Sequence, residues 1–197
     1  MLDRASRRSI AASRWPRSRS RRARSLCAGL DEPAAYRSLL ALQAAHDAEA
    51  GHPDRALDGI RTAIIIGATV QDPRGDCDVA VLHTYVLMLM AAAAEEVIAA
   101  AAPALEAGVR WGLDDFSTDL LRKNLSEVLR LAGRVHEAAE LIDPVTQGAP
   151  SRDRWPAHSE RALLDLLRGH REAAIERIEA LSSTFFVDIV NLSLIHI

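Results

Sequence analysis

Lysine is almost missing from this chain: Lys123 is the only one, against 23 arginines in 197 residues. That skew points to GC-rich coding DNA and carries no information about fold. Aromatic residues make up only 4%, so the core cannot rest on large rings. Alanine and leucine supply the apolar bulk instead, as close-packed helices prefer. The two cysteines, Cys27 and Cys77, form no metal-ligand spacing and no disulfide framework, and a reducing cytoplasm is the expected compartment. No alternating polar and apolar stretch reaches useful strand length. The longest apolar run, Val79 to Ala94, is broken by His83 and Thr84 and followed by Glu95-Glu96. It is shorter than the ~20 residues of a membrane span, so no membrane partner is expected, and it reads as the most buried helix of the fold. A phosphate-cradling Gly-x-x-x-x-Gly-Lys-[Ser/Thr] loop is absent, as is a Gly-x-Ser-x-Gly nucleophile elbow.

What the chain does have is a recurring turn. Gly51, Gly133 and Gly169 are each followed five residues later by an alanine (Ala56, Ala138, Ala174), and four residues after that by Ile60, Ile142 or Ile178. A weaker copy lies between the first two, with Ala92 in the glycine place, then Glu95-Glu96-Val97 and Ala101. The turns at 51, 92, 133 and 169 are 41, 41 and 36 residues apart. A period in this range marks stacked helical hairpins. Glycine ends each first helix, the alanine allows close approach, and the isoleucine fills the groove between hairpins. Helical spacing relates Leu121, Leu125, Val128, Leu129 and Ala132 on one helix and Ala138, Leu141, Ile142 and Val145 on its partner. In the first hairpin Leu39, Leu40 and Leu42 are expected to meet Ala56, Ile60, Ala63 and Ile64. In the fourth, Leu163, Leu166 and Leu167 are expected to face Ala174, Ile178 and Leu181. The expected fold is an all-α solenoid of about four stacked hairpins over residues 33–183. Such proteins bind and scaffold more often than they catalyse.

The ends read differently. Residues 1–30 hold nine arginines against Asp3, a local charge of +8, so the remaining 167 residues carry −11 of the net −3. The acidic repeat region has no evident nucleic-acid face. Residues 1–32 read as a disordered basic segment or a miscalled start; a basic nucleic-acid arm and a transit peptide are the alternatives. Residues 184–191 form a tail of uncertain character. The final Leu192-Ser193-Leu194-Ile195-His196-Ile197 matches the translation of a transposon-end adaptor used in sequencing libraries (CTG TCT CTT ATA CAC ATC), and is expected to be an artefact outside fold reasoning.

Candidate chemistry is sparse. The histidines at 46, 52, 83, 136, 158, 170 and 196 include no His-x3-His pair, and zinc needs three or four N/S ligands. His52, His136 and His170 read as equivalent solvent-facing turn positions. Asp72, Asp76 and Asp78 lack the closing glutamate of a calcium loop, and Asp76 or Asp78 is expected to cap the next helix; Asp114-Asp115 reads likewise. No metal, cofactor or catalytic residue is expected. Trp111 and Trp155 fall at junctions between hairpins, where they read as packing anchors; on a concave face an exposed tryptophan would instead be a binding hot spot.

The hairpin pattern resembles tetratricopeptide-type repeats, best in the unit carrying Leu125, Ser126, Leu129, Gly133, Ala138 and Ile142, with Pro150 where such a repeat ends. A narrower resemblance rests on Trp111-Gly-Leu-Asp-Asp-Phe116, on Leu120 to Gly133, on Arg161 to Gly169 with Glu172-Ala-Ala174, and on the linker Gly67 to Asp78. These are similar to the repeat region of large ATP-binding LuxR-type transcriptional regulators, over about residues 35–183. In that family an ATPase module precedes the repeats and a helix-turn-helix follows them; this chain shows neither motif. The resemblance implies a regulatory segment that binds a protein partner or a small-molecule effector on its concave surface, without touching nucleic acid itself. A free-standing repeat scaffold is the second reading, and repeats supporting a catalytic domain the third.

Overall fold

The computed structural model describes residues 32–113, 116–147, 151 and 153–195, with side chains described up to residue 183. Among them are eight α-helices, one 3-10 turn and no strand: α1 (Pro33–Glu49), α2 (Pro53–Gly67), α3 (Pro73–Leu89), α4 (Ala94–Trp111), α5 (Phe116–Leu131), α6 (Val135–Ile142), a 3-10 turn (Asp143–Thr146), α7 (Trp155–Leu167) and α8 (Arg171–Ile195). The chain divides into two compact units at Ala91/Ala92. None of the described helices is long and apolar enough to cross a membrane.

In the first unit, α1, α2 and α3 pack against one another. Proline opens each of them, at a position whose backbone N–H has no helical partner to lose. The core is Ala41, Ala44, Ala45, Ala56, Ile60, Ala63, Val79 and Val86. Alanines line it because α1 and α2 lie very close: a Cβ on Gly59 would sit 3.0 Å from the Ala44 Cβ. Ala56, Ile60 and Ala63 lie in this core and Leu40 packs against it, as expected, whereas Leu42 and Ile64 are both about half exposed. Helices this close leave no room for leucine at their crossing.

The fully enclosed Arg37 side chain spans the same unit. It donates to Asp72 Oδ2 (2.8 Å) and Asp76 Oδ1 (2.7 Å), clamping α1 to the start of α3. A Cβ on Gly75 would overlap the guanidinium outright. Asp72, rather than Asp76 or Asp78, caps α3: its Oδ1 accepts from the Gly75 N–H at 3.0 Å. Pro73 fixes the first turn, so the residue before it takes the cap. The run from Val79 to Ala94 is not one helix, since α3 stops at Leu89 and α4 begins at Ala94. More positions are buried on α5 than on α3.

In the second unit, α4 packs on α5, α5 on α6 and α7, α6 on α7, and α7 on α8. Leu129, Ala138, Ala139, Ile142, Val145, Ala157 and Leu164 form its core. The buried Ser126 hydroxyl donates to the Ala138 carbonyl at 3.0 Å, tying α5 to α6.

The turns share one construction. Gly51, Gly133 and Gly169 have φ near +80°, and the next residue donates its N–H back to a carbonyl five positions earlier, as Arg134 does to Leu129 at 2.8 Å. Between α3 and α4 the left-handed residue is Ala91 (φ 55°), not Ala92. There the loop is one residue longer before the helix begins, which restores the register at Val97. Val97 and Ala101 are buried, at 1% and 0% exposure.

Candidate functional site

A groove of about 560 Å³ lies between α7 and α8. Trp155, Leu163 and Leu166 form one wall, Ile178 the other, and Ala162 and Leu181 the floor. The wall residues are 46–48% exposed and the floor residues 3% and 6%. Only two hydroxyls, of Ser159 and Ser182, enter the lining. The Ser182 hydroxyl is already spent on the Ile178 carbonyl at 2.9 Å. The groove is of ligand-pocket size, and none of its described lining residues is an acid or a base.

Polar residues on the inner side of α7 hold the groove in shape. Asp165 accepts from Arg161 Nε at 3.0 Å and from Arg177 Nε at 3.4 Å, so α8 is clamped to α7. Arg161 also pairs with Asp143. Arg130 on α5 donates to Glu160 at 2.6 Å, and Arg154 to Asp119 at 3.1 Å. His158 is enclosed, with Nδ1 3.5 Å from Arg177 Nη1 and no partner for Nε2. Burial pushes its pKa below the ordinary value, and the Arg177 and Arg154 charges add to that. The imidazole is therefore neutral in the folded chain near pH 7.

This network decides which side of α7 is enclosed. Leu164 is fully buried, whereas Leu163, Leu166 and Leu167 are 46–60% exposed. His158, Glu160 and Asp165 occupy the buried side because each has a partner there or, for His158, a neutral form. Leu163 and Leu166 line the groove with Ile178 and Leu181, the residues they were expected to face; what the sequence did not reveal is that the walls stay half exposed. The only signal of that exposure was a helix with too many leucines for one face.

The turn and packing residues fall as follows. Ala56, Ala138 and Ala174 are fully buried, as are Ile60 and Ile142, but Ile178 is 48% exposed and lines the groove. Gly51, Gly133 and Gly169 occupy left-handed turns, and Ala92 sits half-buried beyond its own. Trp111 (65% exposed) and Trp155 (47%) are not buried anchors. Trp155 belongs to the groove, while Trp111 stands at the end of α4. His52, His136 and His170 are exposed at the turns. No group of three or more His, Cys, Asp or Glu among the described residues could hold a metal ion. Asp114, Asp115, Cys27 and residues 1–31 lie outside the described residues.

No family model matches the chain and no curated protein is similar to it. Among solved structures it is similar to a Podosopora anserina protein assigned as a kinesin light chain with nearly identical TPR-like repeats. The identity is 15%, the TM-score 0.60, and the match covers 84% of this chain and 83% of that one. A single-substitution variant of the same protein gives 16% identity and a TM-score of 0.62, over 84% and 82%. At this identity the likeness shows the fold: all-α, of TPR-like helical repeats.

Proposed function

We propose that this chain is a protein-interaction repeat module whose contact site is the apolar groove between α7 and α8. The observation that carries the reading is a cluster of half-exposed apolar side chains, Trp155, Leu163, Leu166 and Ile178, around a buried floor. A contiguous apolar concavity with a tryptophan at its rim is what a hot spot of association requires. A random peptide library selected on the chain is expected to yield apolar ligands that lose binding to the Ile178→Glu variant. Enrichment indifferent to Ile178 would reject the groove as the contact site.

The finer reading is that the module is the regulatory middle of an ATP-dependent LuxR-type transcriptional regulator, acting in the cytoplasm. A bound protein or effector would bias flanking ATPase and DNA-binding modules. The sequence likeness over about residues 35–183 supports it. Resequencing the source DNA across both ends of the reading frame tests this. A frame that continues past Asn191 into a helix-turn-helix, with an ATPase module upstream, is the expected result. A stop codon directly after Ile197 in genomic DNA would sink both the regulator reading and the adaptor reading of residues 192–197.

A further inference from the structure

α8 is lightly held. Among the described elements it packs on α7, and of residues 171–183 the buried ones are Ala174 and Leu181. α5, in contrast, buries nine residues. A helix with few buried contacts opens at less cost than the unit around it.

The rest of the α7–α8 contact is polar and centres on Arg177. Its Nε donates to Asp165 at 3.4 Å, and its Nη1 lies 3.5 Å from Nδ1 of the enclosed His158. A guanidinium only donates, so Nδ1 is the acceptor and the ring proton sits on Nε2, which has no partner. A second proton would have to enter at Nδ1. There it removes the acceptor from Arg177 and sets two cations 3.5 Å apart. The enclosed carboxylates are already committed. Asp119 of α5 is held by Arg154, Glu160 by Arg130 of α5, and Asp165 by Arg161 and Arg177. Asp143 of the 3-10 turn pairs with Arg161, and α6 offers Arg161 the Ala139 carbonyl.

We propose that α8 is an acid-released flap: protonation of His158 expels Arg177, and α8 leaves α7 about the turn at Gly169. Opening carries away Ile178 and Leu181, and the groove dissolves with them. The closed site holds the imidazole neutral, whereas in the open chain it titrates near its ordinary 6.5. Closure is therefore unaffected by pH above 6.5 and weakens below it, by up to about ten-fold in its equilibrium constant for each pH unit. The flap goes beyond the proposed function and does not require it. Where the groove is the contact site, acid also discharges its ligand.

The test is native-state hydrogen exchange of the full chain in low urea, at about pH 7, 6 and 5, with rates divided by the intrinsic rates at each pH. Residues 172–182 should exchange at least about ten-fold faster than residues 121–130 of α5, with a smaller dependence on urea, the mark of a local opening. Their protection should fall by about three- to ten-fold for each pH unit below 6.5. His158→Gln, which takes up no proton, should hold that protection level.

Exchange of α8 with the same urea dependence as α5 overturns the flap, because α8 then opens only when the unit unfolds. Local opening of α8 that ignores pH overturns it as well. Both outcomes are read on the unsubstituted chain and need no variant to fold. An acid response that persists in His158→Gln belongs to another group and removes His158 from the device. No groove ligand enters these measurements, so the flap and the contact site fail separately.

Discussion

In the unit ending at Ala91 the buried charge is a cation: the Arg37 side chain is fully enclosed, while Asp72 and Asp76 remain 35% and 46% exposed. In the unit from Ala92 the order is reversed. Asp119, Glu160 and Asp165 are no more than 7% exposed, and the arginines that pair with them, Arg154, Arg130, Arg161 and Arg177, keep 15–35% of their surface in solvent. A guanidinium is weakly hydrated and tolerates enclosure better than a carboxylate does. Removing Arg37 releases two acids that water can reach. Removing an arginine of the second unit strands an anion in the interior. Equivalent deletions should therefore differ in cost, and the difference tests the comparison.

The largest effect is expected from Arg130→Met, which leaves the Glu160 carboxylate enclosed without its partner. Breaking a buried pair in this way costs about 3–5 kcal/mol, read as a lowered urea midpoint. The Arg130→Met/Glu160→Leu double variant should recover most of the loss, because two apolar residues need no neutralisation. Arg37→Met should cost less, about 2–3 kcal/mol, since only its own charge-assisted hydrogen bonds disappear and both acids regain water. Equal losses for the two single arginine variants would erase the distinction between the units.

Gly75→Ala comes next. A Cβ there collides with the Arg37 guanidinium and the Asp72 carboxylate, so the clasp must open, at about 2–3 kcal/mol. In an Arg37→Met background most of that penalty should vanish, and the coupling of the two changes should exceed about 1 kcal/mol. Additive losses would mean that the glycine serves the helix start and not the arginine.

Much of the repeat was legible in the sequence because glycine and alanine report backbone geometry directly. Gly133 and Ala138 mark a left-handed turn and a close helix approach that few other residues permit, and Ile60 and Ile142 follow at the distance that fills the adjoining groove. Arg37 was not legible. Nothing along the chain links it to acids 35 and 39 positions away, and only the packed hairpin brings them together. The exposure of the groove walls was hidden for a related reason. Hydrophobic periodicity assumes that apolar residues face inward. On α7 the partnered Glu160 and Asp165 take the inner side, which turns Leu163 and Leu166 outward. Asp72 was passed over as a cap because the aspartates after it looked equally suitable; Pro73 decided between them.

The second unit carries a pH signature at His158. His158 is enclosed between arginines, and its folded pKa lies below the ordinary 6.5. Above that value both states are neutral and the site costs nothing. As pH falls below 6.5 the unfolded chain takes up a proton that the folded chain refuses, so stability declines, by at most about 1.4 kcal/mol per pH unit for one group. His158→Gln should flatten that limb between about pH 6.5 and 5 in urea titrations, within the range of the histidine's own protonation. An unchanged slope would place the acid sensitivity elsewhere.

The smallest expected effect lies at the boundary between the units. Three of the four turns place glycine at positive φ, and the fourth places Ala91 there at φ 55°. An L-residue in that region costs about 1–2 kcal/mol, while glycine gives back about 0.5–1 kcal/mol through the greater freedom of its unfolded chain. Ala91→Gly should therefore stabilise the chain by up to about 1 kcal/mol. Gly133→Ala makes the converse change at φ 81°, where an added Cβ meets nothing within 4 Å. Its loss reports backbone strain alone and should be of similar size. Urea midpoints that move in opposite directions, with unchanged m-values, are the expected result. If Ala91→Gly destabilised the chain instead, Ala91 would not be left-handed in solution. The longer turn between α3 and α4 would then be built differently from the other three.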